Sequence, residues 1–217
     1  MKPVYQDEFV TLYQANTLQH PELWNHADVL ITDPPYGTEN GVGYGRSGGH
    51  GRKGNAYIHG DADTVARDVV LDAMATKPTL CFGSPRAPEP PGEWSDRLVW
   101  DKREPGLNGG PWRYTHESIF VSGEGWKRTS ASAFSILSFP SGNGTWEKKQ
   151  HVHAKPVRIM EELIKAAPPG LIVDPFAGSG STLLAARNLG RQIIGVEIDQ
   201  RHIETIIKRL AQNVFII

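Results

Sequence analysis

The chain has 217 residues, of which 39% are hydrophobic and 22% charged, and its formal net charge is −1 at pH 7. This composition is ordinary for a globular α/β domain, and the balanced charge excludes a chain-wide basic surface, so any nucleic-acid surface must be local. Cys81 is the sole cysteine, which excludes a disulfide framework or a cysteine-based zinc site within one chain. Without an apolar run of roughly 18 residues or a secretory signal, we expect a soluble, cytoplasmic protein.

Short apolar runs and helical periodicities alternate along the chain. The predicted strands lie at 9–13, 29–32, 79–83, 97–101, 116–121, 171–173 and 193–196. The predicted helices lie at about 18–24, 62–76, 156–167, 181–188 and 200–212. Strands that alternate with helices predict an α/β fold with a doubly wound, mostly parallel sheet.

The tetrapeptide DPPY at 33–36 follows the apolar run VLIT at 29–32. An apolar, β-branched run that ends at prolines is typical of a buried strand, because proline lacks a backbone donor and fixes φ. The tetrapeptide therefore places a carboxylate, two rigid residues and an aromatic ring at the carboxyl end of a strand, where open α/β sheets bind ligands. Taken alone, the pattern also fits a strand that stops at a turn with a surface tyrosine.

A second strand end carries the glycine-rich turn DPFAGSGST at 174–182. Such a turn lets the backbone approach a ligand and directs N–H groups at it. A P-loop requires a lysine where Ser181 stands, and a dinucleotide fingerprint requires a third glycine where Leu183 stands. Asp174 and Glu197, at two successive strand ends, instead suit the ammonium and the ribose of a nucleoside that carries an amino acid. A simple tight turn is the alternative.

Together, ITDPPYG, VDPFAGSGST and GVEID resemble the DNA amino-methyltransferases that use S-adenosyl-L-methionine, in the permuted order of their β group. The segments LYQANTL, LVWDKREPG, WRYTHESIFV and HVHAKPVRIMEELI resemble that group as well. The resemblance implies a class I methyltransferase fold, a seven-stranded sheet in the order 3-2-1-4-5-7-6 with one antiparallel strand. It implies a catalytic and cofactor domain of residues 1–121 and 151–217, with a small target-recognition insert at 122–150.

The resemblance also implies site residues. The catalytic residues are expected to be Asp33, Pro34, Pro35 and Tyr36. The residues expected to contact the cofactor are Asn16, Thr17, Asp33, Lys155, Pro156, Asp174, Phe176, Ala177, Gly178, Ser179, Gly180, Ser181, Thr182, Glu197 and Ile198. Asn16 stands where the family usually has an aspartate, and it also fits a plain turn residue. Lys155 and Pro156 also fit a helix start.

The implied partner is DNA, with the target base flipped out, bound by a monomer or homodimer in a bacterial or phage-infected host cell and without a membrane. A glycine-rich loop at 37–54, expected to be mobile or to close on DNA, and the insert at 122–150 supply the candidate contacts. The candidate DNA-binding residues are Arg46, Arg52, Lys53, Lys127, Arg128, Lys148 and Lys149. His151 and His153 form an HxH pair, but without a further carboxylate or cysteine cluster we expect no metal.

Asp33 favours adenine N6 as the target, because a serine at this position is more usual in the family for cytosine. Cytosine N4, RNA and protein amides stay open as other targets, although the protein-amide enzymes usually carry an asparagine there. A non-catalytic subunit that binds cofactor or DNA is a further alternative. The intact Asp33, Tyr36 and glycine pair Gly178 and Gly180 argue against it.

Overall fold

The structure is a computed structural model and describes residues 1–37, 63–103, 114–129, 134–140 and 154–212. The glycine-rich loop beyond Gly37, part of the predicted insert and the HxH pair lie outside these ranges. The prediction that the loop is mobile or closes on DNA therefore stays a prediction. Within the described ranges, the helices are too short or too polar to cross a membrane.

A single mixed sheet of nine strands lies at the centre of the described residues. In chain order the strands are β1 (Tyr5–Gln6), β2 (Val10–Gln14), β3 (Val29–Thr32), β4 (Thr79–Gly83), β5 (Asp96–Asp101), β6 (His116–Ser122), β7 (Ile136–Ser138), β8 (Ile172–Asp174) and β9 (Ile193–Glu197). They lie side by side in the order β1-β2-β9-β8-β3-β4-β6-β5-β7. Strand β6 is antiparallel to both of its neighbours, β1 is antiparallel to β2, and the other neighbouring pairs are parallel.

The predicted α/β class is confirmed, whereas the predicted count of seven strands is too low for the nine that the structure contains. The two additional strands, β1 and β7, lie at opposite edges of the sheet. They contain only two and three residues. Runs this short give neither a clear alternation nor an apolar block, so the sequence pattern does not reveal them.

Four α-helices accompany the sheet in the described ranges. They are α1 (Val65–Ala73), α2 (Val157–Ala166), α3 (Ser181–Asn188) and α4 (Gln200–Gln212). The helix predicted at 18–24 is instead a three-residue 3-10 turn, Pro21–Leu23. The residues before it are held by other bonds: Asn16 Oδ1 accepts from the Leu18 N–H, and Thr17 Oγ1 donates to the Pro175 carbonyl. Pro21 lies in the middle of the predicted helix and has no backbone N–H, so it cannot continue a helix that begins at residue 18.

Both faces of the sheet are covered by apolar packing. On one face, α2, α3 and α4 pack against strand residues that include Val29, Ile31 and Ile172. On the other face, α1 and Trp24 pack against residues that include Leu30. Successive residues of one strand therefore enter different cores, which explains why the central strands are continuous apolar runs.

The strand ends that carry the predicted site meet at one edge, which we call the carboxyl edge. Strands β9, β8, β3 and β4 are neighbours and run in the same direction, so they all end there. The Thr32 hydroxyl at the end of β3 donates to Asp174 Oδ1 at the end of β8 across 2.8 Å. Because β6 runs the other way, its first residues lie at this edge and its last residues at the opposite one.

Candidate active site

The tetrapeptide leaves β3 at the carboxyl edge and folds back on itself. The Tyr36 hydroxyl donates to Asp33 Oδ1 across 2.5 Å. The Asp33 side chain is 28% exposed, so a ligand can reach its carboxylate. Burial raises the pKa of Tyr36 well above its usual value, and the nearby Asp33 and Glu117 carboxylates raise it further. The tyrosine hydroxyl therefore keeps its proton and acts as a donor.

Lys155 precedes α2 and points to the tetrapeptide. Its ammonium forms an ion pair with Asp33 Oδ2 and lies 3.4 Å from the Tyr36 hydroxyl. The backbone carbonyl of Lys155 accepts from Ser181 Oγ across 2.6 Å. The side chain that was expected at the cofactor thus contacts the Asp33 carboxylate, while the backbone of the same residue contacts the glycine-rich turn.

Glu117, the second residue of β6, holds Lys155 from the other side. Glu117 Oε2 lies 3.1 Å from Lys155 Nζ and forms an ion pair with it, and Glu117 Oε1 accepts from Lys102 Nζ across 2.5 Å. Burial raises the pKa of Glu117, but the two lysines outweigh it and the net pKa is lowered. Burial likewise lowers the pKa of Lys155, and Asp33 and Glu117 reverse this to a net rise. Glu117 and Lys155 therefore both stay ionised.

The sequence alone assigned no role to Lys102 or Glu117. Strand β5 ends where β6 begins, with Trp100 opposite Glu117 and Asp101 opposite His116. The antiparallel strand of the implied topology could have indicated this meeting at the carboxyl edge. Polar residues on an outer strand occur on solvent-exposed faces as often as in functional sites, so the residue type alone does not identify a site.

The glycine-rich turn connects β8 to α3. Gly178 has φ +52° and Gly180 has φ +80°, a left-handed backbone that favours glycine. A Cβ at Gly180 would also lie 2.8 Å from Ile206 of α4. The Gly178 N–H donates to Glu197 Oε2 across 2.7 Å, so the turn and the end of β9 lie side by side. The other predicted cofactor residues of this turn and the start of α3 are Phe176, Ala177, Ser179, Ser181 and Thr182.

Asp174 ends β8 and is 1% exposed. Its Oδ1 accepts from the Thr32 hydroxyl across 2.8 Å and from the Phe176 N–H across 3.2 Å. Burial raises the pKa of Asp174 to about 6, although hydrogen bonds from Thr182, Thr32 and Phe176 oppose the rise. A cation brought to this carboxylate would offset the cost of keeping its charge buried.

Glu197 ends β9 with both carboxylate oxygens held by backbone donors. Oε2 accepts from Gly178, and Oε1 accepts from the Asp199 N–H across 2.8 Å. His202 Nδ1 lies 3.5 Å from Oε1, and the hydrogen bond to Glu197 raises the pKa of His202 although burial opposes it. Oε2 has a second lone pair that can accept a ribose hydroxyl, and the backbone bonds to both oxygens fix the direction of the carboxylate.

The segment after β2 lies against this end of β9. The Ala15 N–H donates to the Glu197 carbonyl across 3.0 Å. Thr17 is buried and donates to the carbonyl of Pro175, so it supports the glycine-rich turn. Asn16 acts as a turn residue through its bond to Leu18. Of the remaining candidates, Ile198 directly follows β9 and is 40% exposed, and Pro156 directly precedes α2.

Two predicted DNA-binding residues lie away from the Asp33 carboxylate. Lys127 and Arg128 follow β6, whose last residue, Ser122, lies opposite the first residue of β4, Thr79. The Lys127 N–H donates to the carbonyl of Ala166, the last residue of α2. The structure therefore places both residues at the edge opposite the carboxyl edge, and it does not bring them together with Asp33. The sequence placed them by their position in the insert, without the direction of β6.

Several other candidates lie outside the described ranges, and their roles stay predictions. They are Arg46, Arg52, Lys53, Lys148, Lys149 and the pair His151 and His153. In the part of the chain that the structure describes, histidine, cysteine, aspartate and glutamate side chains form no group of three or more that could hold a metal ion.

A family model described as DNA methylase matches residues 89–209, more than half of the chain. This region contains Glu117, Lys155 and the glycine-rich turn, while the tetrapeptide precedes it. The chain is 26% identical to the type II methyltransferase M2.LlaDCHI of Lactococcus lactis subsp. cremoris over 254 aligned residues, 96% of this chain and 92% of that protein. It is 40% identical to the type II methyltransferase M.ScaI of Streptomyces caespitosus over 74 residues, 32% of this chain, and it spans only 24% of that relative's length.

Solved structures share the fold. The complex of M1.HpyAVI with SAM matches with a TM-score of 0.61 and 20% identity, over 93% of this chain and 100% of that one. The cytosine-N4-specific PvuII DNA methyltransferase matches with a TM-score of 0.65 and 13% identity, over 99% of this chain and 91% of that one. The sequence match, the shared fold and the juxtaposed tetrapeptide and glycine-rich turn agree, and the chain belongs to the N6/N4 DNA methylase family, whose methyl donor is S-adenosyl-L-methionine.

Proposed function

We propose that this protein transfers a methyl group from S-adenosyl-L-methionine to the N6 amine of adenine in DNA. The position of Asp33 carries the proposal. Its carboxylate begins the tetrapeptide at the end of β3, and the Thr32 to Asp174 hydrogen bond of 2.8 Å joins that strand end to the glycine-rich turn. A carboxylate, rather than a serine, at this position favours adenine.

The substrate amine needs activation, because its lone pair is delocalised into the base. In the proposed mechanism its two N–H groups donate to Asp33 and to the Pro34 carbonyl, which Pro35 holds rigidly by restricting ψ. The nitrogen becomes more tetrahedral and forms a bond to the methyl carbon as the carbon–sulfur bond breaks. Bound S-adenosyl-L-methionine would supply the methyl group, and the pair of the broken carbon–sulfur bond would remain on the departing neutral thioether. The nitrogen, now positively charged, releases one proton to solvent by way of Asp33, and orientation supplies most of the acceleration.

The residues around the glycine-rich turn fit this cofactor. Bound S-adenosyl-L-methionine supplies an electrophilic methyl group on a sulfonium. Asp174 suits the ammonium of its amino-acid end, because burial raises the pKa of this carboxyl to about 6 and a cation would offset that cost. Glu197 suits the ribose hydroxyls, since backbone N–H groups hold both of its oxygens in place. The left-handed Gly178 and Gly180 let the cofactor approach the backbone.

The target base must leave the duplex, because a stacked base cannot reach Asp33. Exposed groups at the carboxyl edge suit the phosphates around such a base. Arg86 follows β4, and its guanidinium lies 5.1 Å from the centre of the Tyr114 ring. Tyr114 is 44% exposed and contacts His116 edge-to-face. We propose that DNA lies across the carboxyl edge of the sheet, rather than across the opposite edge, which carries Lys127 and Arg128.

Cytosine N4 is the second candidate target. It is supported by the fold shared with the PvuII methyltransferase, which is cytosine-N4-specific and matches over 99% of this chain. The same two acceptors can orient the amine of either base. The two targets therefore differ in how the ring is held and not in the chemistry of transfer.

Nucleoside analysis tests the proposal directly. The protein is incubated with duplex DNA and cofactor labelled in its methyl group, and the DNA is digested to nucleosides. We expect label in N6-methyl-2′-deoxyadenosine. Label in N4-methyl-2′-deoxycytidine would select the second candidate, and no label in either nucleoside, from protein shown to bind the cofactor, would contradict both.

A further inference from the structure

A chain of four charged side chains leads from Asp33 to the outer strands. Lys155 pairs with Asp33 and lies 3.1 Å from Glu117, and Glu117 accepts from Lys102 across 2.5 Å. Two carboxylates and two ammonium groups cancel in formal charge. The proposed mechanism uses Asp33 alone, so the other three groups have no assigned role in it.

These four charged side chains and two neighbouring aromatic rings restrict the position of Lys155. Its side chain is 8% exposed, and its ammonium lies 4.9 Å from the centre of the Phe82 ring, within the range of a cation–π contact. Lys102 in turn lies 5.1 Å from the centre of the Trp100 ring. A buried charge is tolerated only when it is paired, so Lys155 depends on Glu117 as well as on Asp33.

The backbone of Lys155 adds a second connection. Its carbonyl accepts from Ser181 Oγ at the start of α3, and the Arg209 guanidinium of α4 donates to the Ser179 carbonyl in the same turn across 2.6 Å. One residue therefore contacts the catalytic carboxylate through its side chain and the glycine-rich turn through its backbone.

We propose that Lys155 is a positioning residue for methyl transfer: with Glu117 and Lys102 behind it, it fixes the direction of the Asp33 carboxylate that receives the substrate amine. A carboxylate bound by an ammonium is a hydrogen-bond acceptor that orients an N–H group, rather than a base that removes its proton before attack. Asp33 keeps lone pairs for the amine, because each of its oxygens can accept more than one hydrogen bond. This inference rests on the proposed function.

The test separates catalysis from binding in the full chain. Glu117→Gln is the main variant, because Glu117 contacts neither Asp33 nor the glycine-rich turn in the structure and acts through Lys155. Single-turnover methyl transfer to DNA and cofactor affinity by calorimetry are measured for wild type, Glu117→Gln, Lys155→Met and Lys155→Arg. Glu162→Gln, which removes one partner of the exposed Lys165 pair on α2, is the matched control.

We expect Glu117→Gln to slow methyl transfer on the order of tenfold or more, as a small misplacement of a catalytic group does, with cofactor affinity within about twofold of wild type. Lys155→Arg should keep more of the rate than Lys155→Met, because it keeps the charge, and Glu162→Gln should match wild type. Rates within twofold of wild type for Glu117→Gln and folded Lys155→Met would overturn the inference. A loss confined to cofactor affinity would also overturn it and make Lys155 a cofactor residue.

Failure of the proposed function is distinguishable from failure of this inference, because the wild-type protein itself would then bind cofactor but methylate neither adenine nor cytosine. Crystal structures then test the inference without activity. If Lys155 contacts Asp33 in wild type and leaves it in Glu117→Gln, the positioning is supported. If Lys155 does not contact Asp33 in wild type, or keeps the same contact in Glu117→Gln, the inference is wrong.

Discussion

Asp174→Asn should stabilise the cofactor-free protein at neutral pH while weakening cofactor binding. The pKa of the Asp174 carboxyl rises from 3.8 to about 6 on folding, mainly because of burial. At about 1.4 kcal/mol per pKa unit, this shift corresponds to roughly 3 kcal/mol of stability that the ionised carboxylate costs. Asparagine keeps an oxygen for Thr32 and Phe176, the two donors to Oδ1, and its amide can donate to the Thr182 hydroxyl.

The size of the stability gain from Asp174→Asn depends on pH, because only the ionised carboxylate carries the cost of burial. Between about pH 4 and 6 the folded protein holds a proton on Asp174 that the unfolded chain releases, so the wild type loses stability as pH rises through this window. Above about pH 6 the full cost is present. The gain from Asp174→Asn should therefore be near zero at pH 4 and approach its maximum by pH 8.

Urea unfolding of wild type and variant at pH 4 and pH 8, with m-values compared, measures this difference. Asp199→Asn is the opposite control, because the hydrogen bond from Arg201 lowers the pKa of Asp199 and its removal should reduce stability at pH 8. Calorimetry should show weaker cofactor binding for Asp174→Asn. A variant that is less stable than wild type at pH 8, or equally changed at both pH values, would refute the reasoning.

Three further predictions concern other parts of the site. Asp33→Ala should reduce methyl transfer to a few per cent of wild type or less while cofactor affinity stays within a fewfold, measured by labelled transfer and calorimetry; a well-retained rate would contradict its role. Gly180→Ala should destabilise the protein by about 1–3 kcal/mol in urea unfolding, because φ at this position is +80° and the added Cβ would lie 2.8 Å from Ile206 of α4. Gly190→Ala is the control and should cost less, because φ there is +64° but the nearest atom to an added Cβ is 3.9 Å away. Arg86→Ala should weaken DNA binding in a fluorescence titration and reduce the salt dependence of that binding. Arg97→Ala, which removes an exposed ion pair with Glu89, should change neither. Equal effects of the two substitutions would count against DNA binding at the carboxyl edge.

The two halves of the site could be predicted from the sequence because each is encoded locally. The DPPY tetrapeptide and the glycine-rich turn both directly follow apolar runs. A strand, the proline or glycine residues that end it and the functional side chains are therefore contiguous in the sequence, where the pattern can be recognised. The partnership of Lys155 with Glu117 is not local, since it depends on the direction of β6. The antiparallel direction of β6 also places Lys127, which follows this strand, at the edge opposite Asp33. Side-chain charge identifies such residues as candidates, but only the strand direction tells which edge they reach.

The pairing of early strands with late ones has a consequence for synthesis of the protein. Thr32 and Asp174, which join the two halves of the site, are 142 residues apart in the chain. Strand β2 likewise pairs with β9, Val10 opposite Ile193. A growing chain therefore exposes the β9-facing side of β2 and the β8-facing side of β3 until β8 and β9 have been made, and contacts between distant residues form slowly. The tetrapeptide is made well before residues 172–174, so the strand that carries it gains its β8 neighbour only after those residues have emerged.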